Sequence, residues 1–126
     1  MSTKTTVAAP TPFSNVFVIA IPFVEDGKTY YKTTFVPEKL RVLQPDTVIN
    51  YQLISPTPTG VKIDSVTVKP EHSSQLSDPA IGDSGKLAVI IDANTVAEKF
   101  NITLHFSDTD GVKFDVDPEV SNEPPA

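Results

Sequence analysis

The chain has 126 residues, enough for one domain with a single core and too few for two. Its formal net charge of −6 argues against nucleic acid or an anionic membrane as partner, since both need clustered cations. It has no cysteine, which removes disulfides, thiolate catalysis and cysteine metal sites together and fits a reducing, cytoplasmic setting.

Residues 1–12 are small, polar and proline-containing, so a mobile N-terminal segment is expected ahead of one domain over 13–126. That segment holds no apolar stretch of signal-peptide length. "VFVIAIPFV" is too short to span a bilayer and is interrupted by Pro22.

Beyond it, Val, Ile, Thr, Phe and Tyr dominate short runs. They predict strands over 15–24, 29–36, 39–43, 47–54, 61–68, 87–92, 99–106 and 112–118. Turn signals "EDGK", "QPD", "SPTPTG" and "SDTDG" separate them. About eight strands at this spacing predict an all-β fold, an antiparallel β-sandwich of immunoglobulin-like architecture. Residues 69–86 read as a long polar loop. "NTVAEK", residues 94–99, predicts one helical turn capped by Asn94 or Thr95.

Enzyme motifs are scarce. There is no HExxH, no glycine-rich phosphate loop and no Gly-x-Ser-x-Gly elbow. His72, Glu71 and Asp64 lack a ligand spacing, so neither metal nor cofactor is expected.

The last two predicted strands carry a sharper pattern. Phe100, Ile102, Leu104 and Phe106 alternate with Lys99, Asn101, Thr103 and His105. Val112, Phe114 and Val116 alternate with Lys113, Asp115 and Asp117. The hairpin joining them must keep the apolar sets together, which excludes a two-residue Asp110-Gly111 turn. Two registers satisfy this. A three-residue loop Thr109-Asp110-Gly111 sets Asp117 near Thr103. A five-residue loop sets it near Asn101, with Lys99 on the diagonal and Glu119 facing Lys99. Either gathers Asp117, Asn101 and Thr103 on one face, which in most proteins would be a solvated polar face and no more.

Asp117 precedes Pro118, and that pairing has its own chemistry. The proline nitrogen carries no hydrogen, and the residue before it is pushed to an extended conformation. The Asp carboxylate can attack its own main-chain carbonyl and expel the proline nitrogen as a secondary amine. Water opens the resulting anhydride to a free Asp end, and an uncharged amine opens it to an amide. Such placement can supply about 7–11 kcal/mol of the barrier, and a neighbouring acid must protonate the leaving nitrogen. A second route has a carboxylate activate water, as in aspartic peptidases. A second Asp-Pro bond, Asp78-Pro79, lies in the long loop without a patterned neighbour.

The stretch "DPEVSNEP", Asp117 to Pro124, resembles the signature of the DP-EP family, a bacterial family of small β-sandwich proteins described as self-cleaving, self-assembling endopeptidases. Length, lack of cysteine and motif position all agree with it. The resemblance implies scission between Asp117 and Pro118, with the segment Pro118–Ala126 staying bound as the protein's own partner. It also implies that a lysine can be joined to the new aspartyl end, and Lys99 is the residue matching that role. Attack by Lys99 requires its uncharged amine, which burial favours.

The remaining roles follow from chemistry. His105 can give and take a proton near neutral pH. Asp115 faces the same way as Asp117 and can share a proton with it. Asn101 and Glu119 are placed to orient the scissile carbonyl. The competing reading is a non-catalytic interaction module that self-associates or adds its acidic, strand-like tail to a partner's sheet edge.

Overall fold

Alternating β-branched and aromatic residues form strands nearly everywhere the sequence predicts them. The computed structural model describes residues 10–126, so residues 1–9 of the expected mobile segment lie outside the described residues. Ten strands follow in chain order: β1 (Phe13–Glu25), β2 (Lys28–Val36), β3 (Lys39–Val42), β4 (Thr47–Leu53), β5 (Lys62–Lys69), β6 (Ala80–Ile81), β7 (Leu87–Asp92), β8 (Lys99–Ser107), β9 (Lys113–Val116) and β10 (Glu119–Asn122). Among the described residues there is no helix, and so none long and apolar enough to cross a membrane.

The strands make two sheets. One runs β2-β1-β4-β7-β6. The other runs β3-β10-β8-β5, with β9 also on β8. Their inner faces share one core, in which Val16, Val18, Ile49, Tyr51 and Ile90 of the first sheet meet Val42, Phe100, Ile102, Leu104, Phe106 and Val120 of the second. The fold is therefore the expected all-β sandwich, with two corrections. There are ten strands rather than about eight, because the polar loop contains the short β6 and the tail beyond the last predicted strand forms β10. The sheets are mixed, because β1 pairs β4 in parallel and β10 pairs β3 in parallel.

The predicted helical turn at 94–99 does not form. Asn94 adopts a left-handed φ of 49°, and its side chain is drawn inward to donate to the Val42 and Gln44 carbonyls at 3.0 and 3.2 Å. The backbone N–H groups of Thr95 and Val96 both donate to Gln75 Oε1, at 2.8 and 3.1 Å. A side chain from another segment thus takes the donors a first helical turn would have left free.

The hairpin between β8 and β9 is fixed by Asp108. Its Oδ1 accepts the backbone N–H groups of Asp110 and Val112, each at 2.9 Å, and Gly111 takes the left-handed φ of 81° that such a loop needs. The Tyr31 hydroxyl donates to Asp108 Oδ2 at 2.6 Å, and the Tyr31 ring stacks on Phe114, which stacks on Phe106. Burial and the Asp108 carboxylate push the Tyr31 phenol up to about 12, while the phenol's hydrogen bond holds Asp108 below its usual range. This is the three-residue loop, and the five-residue register is excluded.

Candidate active site

β8 lies with its apolar residues inward. Phe100, Ile102, Leu104 and Phe106 are buried, so Lys99, Asn101, Thr103 and His105 line the outer face. Both β9 and β10 pair along the same side of β8. Val116 stands opposite Leu104 and Glu119 opposite Asn101, so one register runs through both strands. Asp117 and Pro118 fill the gap between them, opposite Thr103 and Ile102. Proline cannot donate to the ladder, and the strand breaks at this point. The chain is nonetheless held, because Ile102 N–H donates to the Pro118 carbonyl at 3.0 Å.

The scissile position expected from the sequence is therefore clamped between two paired strands, four-residue β9 before it and four-residue β10 after it. Asp117 is exposed, and strand alternation sets it on the outer face with Asp115 and Glu119, about 6–7 Å away on either side. Two of these three carboxylates have a basic side chain as neighbour. His105 Nδ1 lies 2.8 Å from Asp115 Oδ1, and Lys99 Nζ lies 3.9 Å from Glu119 Oε1. Among the described residues, no cation lies within 4.0 Å of Asp117.

His105 is held on both sides. Its Nδ1–H donates to Asp115, and its Nε2 is 2.9 Å from the Thr67 hydroxyl on β5. An ionised carboxylate only accepts, so Asp115 fixes the Nδ1–H tautomer and the Thr67 hydroxyl donates to Nε2 when the ring is neutral. Thr67, His105 and Asp115 form a hydrogen-bonded row across β5, β8 and β9, one residue pair along from Asp117. Thr67 sits opposite Thr103, which in turn faces Asp117.

Of the residues singled out in the sequence, Asp117, Asp115, His105, Asn101 and Glu119 are gathered on this face, while Pro118 turns to the inner side. Lys99 is displaced. It pairs with Ser121, four residues along β8 from Thr103, or about 13 Å of strand from the position facing Asp117. Its side chain is 77% exposed, so the burial expected of an attacking lysine is absent. The neighbourhood drawn for Lys99 in the five-residue register is thus corrected, although its contact with Glu119 is kept. Thr67 escapes sequence reasoning, because nothing local connects it to a histidine 38 residues away.

The tail is not a free edge. β10 is flanked by β3 on one side and β8 on the other, with Val120 fully buried. Arg41 on β3 binds Glu123 through two hydrogen bonds, at 2.5 and 2.9 Å, which holds the Glu123 carboxyl below its usual range. Both edges of β10 are thus paired within the chain itself.

The sequence model of the DP-EP family matches residues 4–124. The chain belongs to the DP-EP family. No curated protein shows a significant match to it. The match spans the whole of the described sandwich, including the Asp117-Pro118 step and the Asn122-Glu123-Pro124 stretch after it. In this DP-EP protein those two elements lie on either side of Val120, whose burial ties the tail to the core.

Proposed function

We propose that this DP-EP protein is a single-turnover, self-cleaving endopeptidase that cuts its own Asp117-Pro118 bond. One observation carries the reading: the bond is clamped in register on β8, beside a histidine locked by Thr67 and Asp115. In the step, the Asp117 carboxylate oxygen bonds to its own main-chain carbonyl carbon. The C–N bond to Pro118 breaks, and the proline nitrogen leaves as a secondary amine after taking a proton. One water then opens the cyclic anhydride, leaving a carboxylate end at Asp117.

His105 supplies the proton from its imidazolium form. It gives up the Nε2 proton as the ring swings off Thr67 and returns to the neutral Nδ1–H form held by Asp115. Asn101 and Glu119 flank the scissile carbonyl. Activation of a water by one of the carboxylates gives the same products. A Lys99–Asp117 isopeptide is the secondary product. It forms when the Lys99 amine, having lost a proton to solvent, bonds to an anhydride carbonyl carbon in place of water and the anhydride C–O bond breaks to a carboxylate. The anhydride must move along β8 to meet it, so hydrolysis competes. A second reading, self-association, draws on the β1–β2 hairpin, where Phe17, Ile21, Phe23 and Tyr30 are each at least 38% exposed on one outer face. Sedimentation of the wild type against Phe23→Ser tests it, and a monomer in both removes it.

The test of cleavage is the intact mass of freshly purified protein under denaturing conditions, followed over days at neutral pH. Fragments 1–117 and 118–126 are expected from the wild type and neither from Asp117→Ala. A single unbroken wild-type mass throughout refutes the proposal.

A further inference from the structure

Three side chains, along β10 and on the residue just after it, each face a different part of the protein. Val120 fills the core at 0% exposure. Glu123 meets Arg41 through two hydrogen bonds. Asn122, 2% exposed, enters a buried polar cluster, where its Nδ2 donates to Asp92 Oδ1 at 2.9 Å and lies 3.4 Å from Gln75 Oε1. The backbone is held as well, with Asn122 N–H on the Glu98 carbonyl at 2.8 Å and Glu123 N–H on the Val42 carbonyl at 2.9 Å.

The floor of this cluster is built independently of the tail. Asp92 Oδ1 also accepts Asn94 N–H, and Gln75 Oε1 accepts Thr95 and Val96 N–H, so both acceptors are already aimed. Asp92 is fully buried, and burial raises its carboxyl above the usual range. Its Oδ2 and the Tyr51 hydroxyl are buried with no hydrogen-bond partner among the described residues. An apolar residue in place of Asn122 would remove a donor from a carboxylate that water cannot reach. An acidic one would set a like charge beside it. Among the described residues, β10 is the only sheet partner of β3.

We propose that the slot between β3 and β8 is a sequence-selective receptor for an extended peptide of pattern Val-x-Asn-Glu. In it Asp92 and Gln75 read the Asn amide, Arg41 reads the Glu, and the natural ligand is the protein's own 118–126 segment. The proposal rests on cleavage at Asp117-Pro118 only for the freedom of that segment to leave and be replaced. Recognition itself is a property of the intact chain too.

Two measurements keep the two ideas apart. In the first, the self-cleaved full-length protein is incubated in sub-denaturing urea with excess isotope-labelled synthetic peptide Pro118–Ala126, and uptake is read by native mass spectrometry. Uptake is expected to fall at least tenfold when the peptide carries Asn122→Ala and to stay unchanged with Ser121→Ala. Because the change is in the peptide, folding of the protein is untouched. Equal uptake of all three peptides, or no uptake of the natural one, overturns the proposal. The second measurement needs no cleavage. In Asp117→Ala protein, adding Asn122→Ala is expected to speed amide hydrogen exchange at least tenfold in both 120–122 and 40–42, and adding Ser121→Ala to leave it unchanged. No acceleration overturns the receptor even in a chain that never cuts itself, and acceleration in such a chain supports the receptor while cleavage alone fails.

Discussion

The two Asp-Pro bonds of this protein both lie alongside a paired strand, but they are held differently. Asp78 is exposed ahead of β6, between the Leu76–Asp92 bridge and the Ala80–Val89 pair, and the register against β7 slips by one residue across the bond. Asp117-Pro118 joins two strands that are both paired to β8, and the carbonyl just past it is bonded to Ile102. Under the proposed cleavage, the difference is what makes one dipeptide reactive. Its own carboxylate is present in both places. Only the second is held in register beside a fixed histidine, and proximity lowers a barrier only when the geometry is maintained.

The widest separation of the two bonds comes from removing each carboxylate. Asp117→Ala is expected to abolish fragment formation in a denaturing mass time course, and Asp78→Ala to leave it unchanged. If both variants cut like wild type, the comparison has no functional content. Next in size is His105→Ala, expected to slow cleavage about 100-fold, within the range for loss of a general acid. Thr67→Val should slow it less, since Asp115 still holds the ring. An unchanged rate in His105→Ala transfers the proton donor to one of the carboxylates.

The clamp can also be loosened from beneath. Phe100 is buried opposite Val120, and Phe100→Ala is expected to cost about 3–5 kcal/mol in urea unfolding. It should slow scission at 117 and leave the 78 region as inert as before. Lys99→Ala is smaller still: hydrolysis should stay within about threefold of wild type, and any product one water lighter than fragment 1–117 should vanish from the mass spectrum.

The smallest expected effects are in the pH dependence of stability. Glu123 is held below its ordinary 4.5 by Arg41, so its contribution is present above that value and fades as pH falls through the lower folded value. Asp92 works in the opposite direction. Burial raises it above 3.8, so its contribution is fullest below that value and declines as pH rises through the folded value. Asp92→Asn should remove that decline, and urea midpoints across a pH series will show it.

Much of the comparison is visible in the sequence, because its cues are local. Alternation in 99–107 and 113–117 is enough to put Asp117, Asp115 and His105 on one outer face. The register is not local. The chain admits two loops, and the choice falls to Asp108, fixed by a tyrosine 77 residues away. The helical turn at 94–99 fails for a related reason, since Gln75 captures the donors that a local reading gives to a cap. Lys99 illustrates the same limit, because a shift of one residue pair in register moves it out of the vicinity of Asp117. Asn122 has no pattern to mark it, as the carboxylate that meets it lies 30 residues upstream in another sheet.

The position of β10 also bears on how the protein is made. β3 begins at residue 39 and pairs with β10, which begins at residue 119, a separation of 80 residues (119 − 39). At ribosomal rates of about 5–20 residues per second, β3 waits about 4–16 s before its neighbour exists. The clamp around Asp117 is likewise incomplete until residues 119–122 have been synthesised and docked. A nascent or prematurely terminated chain carries the Asp-Pro bond without this arrangement, so under the proposed scission the order of synthesis would guard the chain against cutting itself before it has folded.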